Sequence, residues 1–157
     1  MTCEYTTIAD QTIPAGGSVS FSLASVPCLR GLIYPRNSNT QFMLSSPALM
    51  GVRRTYCCRM PLANYNVSFH GNVAVPEGGT VEQLSLQIAV DGVPDPGSLM
   101  LADPTAVELF SNVGTDIVVA VPWICRCSTV TVINPGTADI TLRAGATLKF
   151  DYAGVTM

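Results

Sequence analysis

Strict alternation of apolar and polar residues from residue 65 onward is the feature of this sequence that most constrains its fold. Between residues 65 and 75 the odd positions are apolar, beginning with Tyr65, Val67 and Phe69, and polar side chains stand between them. The same period returns in four later segments, residues 84–90, 130–132, 140–142 and 148–152. A period of two is typical of a strand with one face on an apolar core.

Turn residues such as Asp91-Gly92 separate these runs, and many short, evenly spaced strands predict an all-β fold. We therefore expect an antiparallel two-sheet jelly-roll sandwich formed by a single domain, residues 1–157. Residues 65–157 carry the regular strands. Residues 1–64 form a less regular N-terminal portion, with a long loop expected over residues 45–62. A single helical turn is predicted at residues 104–110, because Asp103 could cap it and Pro104 could begin it.

Charged side chains are scarce, at 12% of the chain against about 25% in an average soluble domain. An apolar surface of this kind predicts a partner, and a second copy of the chain is the simplest one. Eight basic against eleven acidic residues, with no basic cluster larger than Arg53, Arg54 and nearby Arg59, make a poor phosphate surface, so we expect no nucleic-acid partner.

We expect no membrane partner, because the longest apolar run, residues 117–125, is far shorter than the ~18 residues of a membrane span. The first arginine is Arg30, so no basic region precedes an apolar stretch of a secretory signal, and synthesis in a cytoplasm is expected.

Residues 116–124 break the alternation, because both faces of this predicted strand are apolar. Such a strand is covered on both sides, either by a loop of its own chain or by another copy of the protein. We favour the second copy, with Trp123 as an anchor, since interfaces are enriched in aromatic residues. The predicted interface residues are Val119, Ala120, Val121 and Trp123, joined by Phe69 and His70 from the face of residues 65–75.

The residues that could carry chemistry are few. The only histidine, His70, stands on the polar side of its strand, and no nucleophile motif accompanies it, so we expect no enzyme and no cofactor. Most of the six cysteines are expected to be reduced. A disulfide from Cys57 or Cys58 to Cys28 or Cys127 remains an alternative. A metal site is conceivable if two cysteine pairs meet, and its candidate ligands are Cys57, Cys58, Cys125 and Cys127.

Most of the chain resembles a group of small jelly-roll proteins from Firmicutes and their phages. The residues that carry the resemblance are 26–33, 65–75, 86–94, 112–113, 119–122, 125–127 and 129–148. The domain of that group is like the trimeric globular heads of the tumour-necrosis-factor and complement type. The resemblance implies a homotrimer that serves as a surface or capsid-decorating protein.

We therefore expect a structural virion protein that decorates the capsid surface of a bacteriophage, with the major capsid protein as its partner. Five of the seven arginines lie in the first 60 residues and are the predicted attachment residues, namely Arg30, Arg36, Arg53, Arg54 and Arg59. The alternatives are a spore- or cell-surface jelly-roll protein and a receptor- or carbohydrate-binding fibre tip. A metal or thiol enzyme would require the cysteines to converge.

Overall fold

The computed structural model describes residues 1–28, 32–46, 62–122 and 127–156. The described residues form two antiparallel sheets, which confirms the predicted jelly-roll sandwich. The strands are β1 (Thr2–Thr6), β2 (Gln11–Ile13), β3 (Leu23–Val26), β4 (Ile33–Arg36), β5 (Gln41–Leu44), β6 (Leu62–Ala74), β7 (Leu84–Val90), β8 (Val93–Pro94), β9 (Met100–Ala102), β10 (Ser111–Pro122), β11 (Ser128–Ile133), β12 (Ile140–Leu142) and β13 (Thr147–Thr156). One 3-10 turn at Pro96–Ser98 interrupts the edge formed by β8 and β9.

Sheet A is built around the long strand β6, which pairs with β10 along one edge and with β13 and β12, end to end, along the other. β1 pairs with β13, and β3 pairs with β1. β2 pairs with β12. Sheet B has the order β4, β5, β11, β7 and β8, with β9 also paired to β7. The strands β10 and β3 therefore lie at opposite edges of sheet A.

The core lies between the two sheets and is filled by the alternating apolar residues of both. Its centre is an aromatic cluster in which the ring centroid of Phe42 lies 4.5 Å from that of Tyr5, 5.4 Å from that of Phe150 and 5.8 Å from that of Phe21. Tilted and edge-on pairs of this kind add to the free energy gained by burying apolar surface. The residues from Tyr65 to Phe69 that face inward are completely buried, as their alternation predicted.

The N-terminal portion is more regular than the sequence suggests. The described part of residues 1–64 contributes β1, β2 and β3 to sheet A and β4 and β5 to sheet B, before β6 begins at Leu62. These strands have three to five residues each, which is too short for a two-residue period to be recognised. Of the expected loop at 45–62, residues 47–61 lie outside the described part of the chain.

The helical turn expected at residues 104–110 is wrong. The segment is an irregular connection from β9 to β10. Glu108 has a φ of 59°, in the left-handed region, and its N–H donates a 2.9 Å hydrogen bond to the carbonyl oxygen of Val75. A left-handed residue cannot continue a right-handed helix, so the cap at Asp103 does not lead into one.

Candidate self-association surface

A row of charged side chains crosses the outer face of sheet A. Strand pairing aligns Asp116 on β10, Ser68 on β6, Lys149 on β13 and Glu4 on β1. Lys149 is the only lysine of the chain, and its Nζ lies 2.9 Å from Oδ2 of Asp151. The carboxylates of Glu4, Asp116 and Asp151 therefore lie on the same face as the single ammonium group of Lys149.

The ion pair between Lys149 and Asp151 shifts both groups toward their charged forms. The hydrogen bond to Asp151 raises the pKa of Lys149, and the negative charges of Glu4 and Asp116 act in the same direction. Partial burial opposes ionisation of Asp151, but hydrogen bonds from Thr2 and Lys149 lower the pKa of this carboxyl group. Exposed pairs of this kind contribute little to stability, so we interpret the row as a polar surface feature.

Exposed apolar side chains lie at the β10 edge of the sandwich, beside Asp116. On the outer face of sheet A, Val118 is 65% exposed and Ala120 is also exposed. On the adjoining edge of sheet B, β9 lies against β10, and this segment exposes Leu99 and Leu101, each by about half of its surface. We call Val118, Ala120, Leu99 and Leu101 the β10 edge patch.

A second apolar patch lies at the opposite edge of sheet A, on β3. Leu23 is 48% exposed and Val26 is 42% exposed, and Val26 lies opposite Glu4 at the end of the charged row. We call Leu23 and Val26 the β3 edge patch. Clusters of exposed apolar side chains mark interaction surfaces in soluble proteins. Sheet A therefore presents a polar centre, which extends to Asp116 on β10, and exposed apolar side chains at both of its edges.

Sheet B differs from sheet A in charge. Across the described strands of sheet B, Arg36 at the end of β4 is the only charged residue. The neighbouring Tyr34 is 47% exposed on the outer face of the same strand. Tyr34 is a large exposed side chain on the sheet that we do not assign to the interface. A substitution there is therefore the control for substitutions on sheet A.

The structure divides the predicted interface residues into two groups. Val119 and Val121 are buried in the core, and so is Phe69, which corrects their assignment to the interface. Ala120 and His70 lie exposed on the outer face of sheet A. The even positions of β10 face outward and the odd positions face inward. One apolar face of the strand therefore lies in the core and the other lies on the surface of sheet A. Trp123 lies outside the described residues.

The sequence predicted one residue of the β10 edge patch, Ala120, as a surface, and it missed the rest of that patch and the whole β3 edge patch. Leu23 begins a short strand in which no pattern marks exposure, and Leu99 and Leu101 follow a turn in which none does either. Val118 carried a signal, because it belongs to the strand that is apolar on both faces. Composition predicted an apolar surface, but only the fold shows where its residues gather.

The strand ends that flank residues 29–31, 47–61 and 123–126 lie at one end of the sandwich. Leu62, Pro122 and Thr156 form the last row of sheet A at this end, and Ile33, Leu44 and Ser128 form the last row of sheet B. The phenol of Tyr65 links the two rows by donating a 2.6 Å hydrogen bond to the carbonyl oxygen of Ser45. We call this end the segment end.

Of the predicted attachment residues, only Arg36 is described. It is exposed beside the turn from β4 to β5, at the end of the sandwich opposite the segment end. Arg30, Arg53, Arg54 and Arg59 lie outside the described residues. The structure therefore separates Arg36 from the strand ends to which the other four arginines are joined.

A group of carboxylates lies at the end opposite the segment end. A cavity of about 540 Å³ opens there beside residues 75–82, and Glu77, Glu82 and Asp139 line it together with Thr12 and Thr80. Its lining residues include no lysine, arginine or histidine. The three carboxylates are exposed, so we interpret them as a solvated acidic rim.

The cysteines pair differently from the predicted alternatives. Cys3 and Cys28 form a disulfide, with their Cα atoms 5.1 Å apart, so the pairing of Cys28 with Cys57 or Cys58 is wrong. Cys127 is exposed and free at the start of β11. The other candidate metal ligands, Cys57, Cys58 and Cys125, lie outside the described residues. Within the described ranges, no group of three or more His, Cys, Asp or Glu side chains is placed to hold a metal ion.

No helix in the part of the chain that the structure covers is long and apolar enough to cross a membrane. No family model matches the sequence, and no curated protein matches it.

Solved structures match the fold over nearly its whole length. The chain is similar to the Eiger TNF of S. frugiperda, with a TM-score of 0.71 and 4% identity over 100% of this chain and 94% of that one. It is similar to the globular domain of the zebrafish complement 1qA protein, with a TM-score of 0.61 and 10% identity over 99% and 98%. Murine APRIL gives a TM-score of 0.56 and 10% identity over the same shares. The fold is the jelly roll of the tumour-necrosis-factor and complement globular domains.

Proposed function

We propose that this protein is a homotrimeric structural head that acts by binding. The observation that carries this proposal is the presence of two different apolar patches at opposite edges of sheet A, Val118 with its neighbours on β10 and Leu23 with Val26 on β3. When the β10 edge patch of one copy contacts the β3 edge patch of the next, the interface is heterologous, and such an interface forms a ring when the rotation between copies closes. Three copies is the number that the resemblance to trimeric heads implies.

The polar centre of sheet A fits this arrangement. Interfaces combine an apolar contact region with polar groups that stay hydrated or paired. Lys149 already has its partner Asp151 within the same copy. Assembly therefore does not leave the only lysine of the chain without a counter-charge, and the apolar edges supply the association free energy.

A more specific role is decoration of a bacteriophage capsid, with the segment end attached to the major capsid protein. The segments joined to that end carry Arg30, Arg53, Arg54 and Arg59 in the sequence. The opposite end exposes carboxylates such as Glu77 and Asp139. Arg36 also lies at that opposite end, but the four arginines joined to the segment end outnumber it, and this distribution supports a basic attachment end with carboxylates turned to solvent at the other end.

Co-sedimentation with undecorated heads of the phage that encodes the protein tests this role. We expect the native trimer to pellet with the heads and the double variant Arg53→Glu/Arg54→Glu to remain in the supernatant. Arg36→Glu is the control at the opposite end, because it reverses one arginine charge there, against two in the double variant, and should pellet normally. Point changes are required, since removing residues 1–60 would delete five strands.

Native protein that stays in the supernatant would refute the decoration role. If the double variant pellets as well as native protein, the decoration role is supported, but attachment through the segment end is refuted. Loss of pelleting with Arg36→Glu alone would move the attachment surface to the opposite end of the sandwich.

A further inference from the structure

The Cys3–Cys28 disulfide connects the core to the segment that follows the edge strand β3. Cys3 lies on β1, points into the core and is completely buried. Cys28 is partly buried, packs against the same core and stands two residues after β3 ends at Val26. The bond closes a loop with a sequence separation of 25 residues, which contains both β2 and β3.

Few other contacts hold β3 on sheet A. All four of its side chains are exposed, so the strand buries no apolar side chain in the core. It pairs only with β1, at three positions and with a shift in register between Glu4 and Tyr5. Ser25 adds a hydroxyl contact to Thr6 and donates to the carboxylate and the carbonyl oxygen of Glu4. Solvent competes for hydrogen bonds at such an exposed edge, and segments with few buried contacts open first.

We propose that the Cys3–Cys28 disulfide is a redox latch that keeps β3, and with it the β3 edge patch, in place for self-association. A dithiol reductant supplies two electrons and two protons. Its thiolate attacks the sulfur of Cys28, the less buried of the two cysteines, and its second thiol then completes the exchange. The products are two protein thiols, on Cys3 and Cys28, and the oxidised reductant.

Reduction leaves β3 attached only through its exposed pairing with β1. Leu23 and Val26 then lose their fixed position beside the charged row, and the neighbouring copy loses the surface that its β10 edge patch contacts. The trimer dissociates, whereas β6, β10 and β13 keep their pairing, because their inward side chains are buried in the core. This inference rests on the homotrimer proposed above.

Sedimentation velocity and amide hydrogen exchange of the whole chain test the latch. We expect oxidised protein to sediment as a trimer and protein treated with dithiothreitol to sediment as a monomer. Exchange of the amides of residues 23–26 should become at least about tenfold faster on reduction, with exchange in β6 unchanged. Cys28→Ser should behave like reduced protein without any reductant, which separates this bond from the other cysteines.

Cys127→Ser is the matched control, because it removes an exposed free thiol and should leave the oxidised trimer intact. The latch is refuted if protein whose Cys3 and Cys28 are shown to be thiols remains trimeric, or if residues 23–26 stay protected. A monomer under oxidising conditions would refute the trimer instead. In that case the exchange rates of residues 23–26 would show by themselves whether the disulfide holds β3 in place.

Discussion

The imidazole of His70 on β6 lies over Gly114, its direct partner on β10. A Cβ atom added at position 114 would overlap Nδ1 of His70. The two residues share the outer face of sheet A, next to the row that holds Asp116, and His70 is exposed there. Gly114 is thus the position where the sheet leaves room for the only histidine of the chain.

This contact predicts a coupling between positions 70 and 114. Gly114→Ala should destabilise the native protein by about 1 kcal/mol, because the imidazole must leave its position. The same change in a His70→Ala background should be neutral or stabilising, since the imidazole is then gone and only the carbonyl oxygen of Phe69 stays close, at 3.2 Å. Denaturant unfolding of the four proteins at one concentration gives the coupling free energy. Identical effects of Gly114→Ala in both backgrounds would show that the two side chains are independent.

Adjacent residues of β10 should respond oppositely to the same substitution. Val119 is 3% exposed, so Val119→Asp places a charge in the core and should cost more than about 3 kcal/mol or prevent folding. Ala120 is exposed, so Ala120→Asp should leave the fold intact. Circular dichroism and thermal unfolding distinguish the two. A folded Val119→Asp protein with unchanged stability would contradict the inward direction of the odd positions.

Asn134 should be the most sensitive polar residue of the described chain. It is completely buried. Its Nδ2 donates to the carbonyl oxygens of Ala138 and Ile13 at 2.7 and 3.2 Å, and its Oδ1 accepts from the N–H of Gly136 at 3.0 Å. Asn134→Ala leaves these groups without partners and should lower the free energy of unfolding by about 2–3 kcal/mol.

The control for Asn134 is Gln83→Ala, which removes an exposed amide bonded only to the side chain of Asp103. It should change the free energy of unfolding by less than about 0.5 kcal/mol. Equal losses in the two variants would show that the buried amide has no special role.

Tyr65 should make the protein less stable in alkali. Burial, reinforced by Tyr152, raises the pKa of Tyr65 from 10.0 to about 12. Between these values the unfolded chain has lost the phenol proton and the folded chain keeps it. The contribution of the Tyr65 phenol to the free energy of unfolding is therefore fully present below pH 10. It falls by about 2 kcal/mol as the pH rises toward 12.

Urea unfolding at pH 9 and pH 11.5 measures this loss, with Tyr65→Phe as the control. The variant gives up the hydrogen bond to Ser45 at every pH, but its stability should fall less between the two values. An identical fall in both proteins would assign the alkaline effect to other groups, including Tyr5, whose pKa burial also raises.

Alternation was enough to predict the sheets, because inward residues such as Val67 and Phe69 stand between polar ones. It failed on β10, where Val118 and Val119 are both apolar, so that no pattern tells which of them faces the core. Cys3 was not recognised as a disulfide partner, because a pairing over 25 residues depends on β1 and β3 being neighbours. That pairing rests on β1, which alternates over five residues only, and on β3, whose four residues do not alternate.

The most direct test of the homotrimer is the solution mass of the oxidised full chain at micromolar concentration. Sedimentation equilibrium should give three times the 16.6 kDa of one chain, about 50 kDa. Ala120→Asp should give a folded monomer, and Tyr34→Asp, on the outer face of sheet B, should remain trimeric. A monomeric native chain, or a trimer that Tyr34→Asp dissociates and Ala120→Asp does not, would contradict assembly through the edges of sheet A.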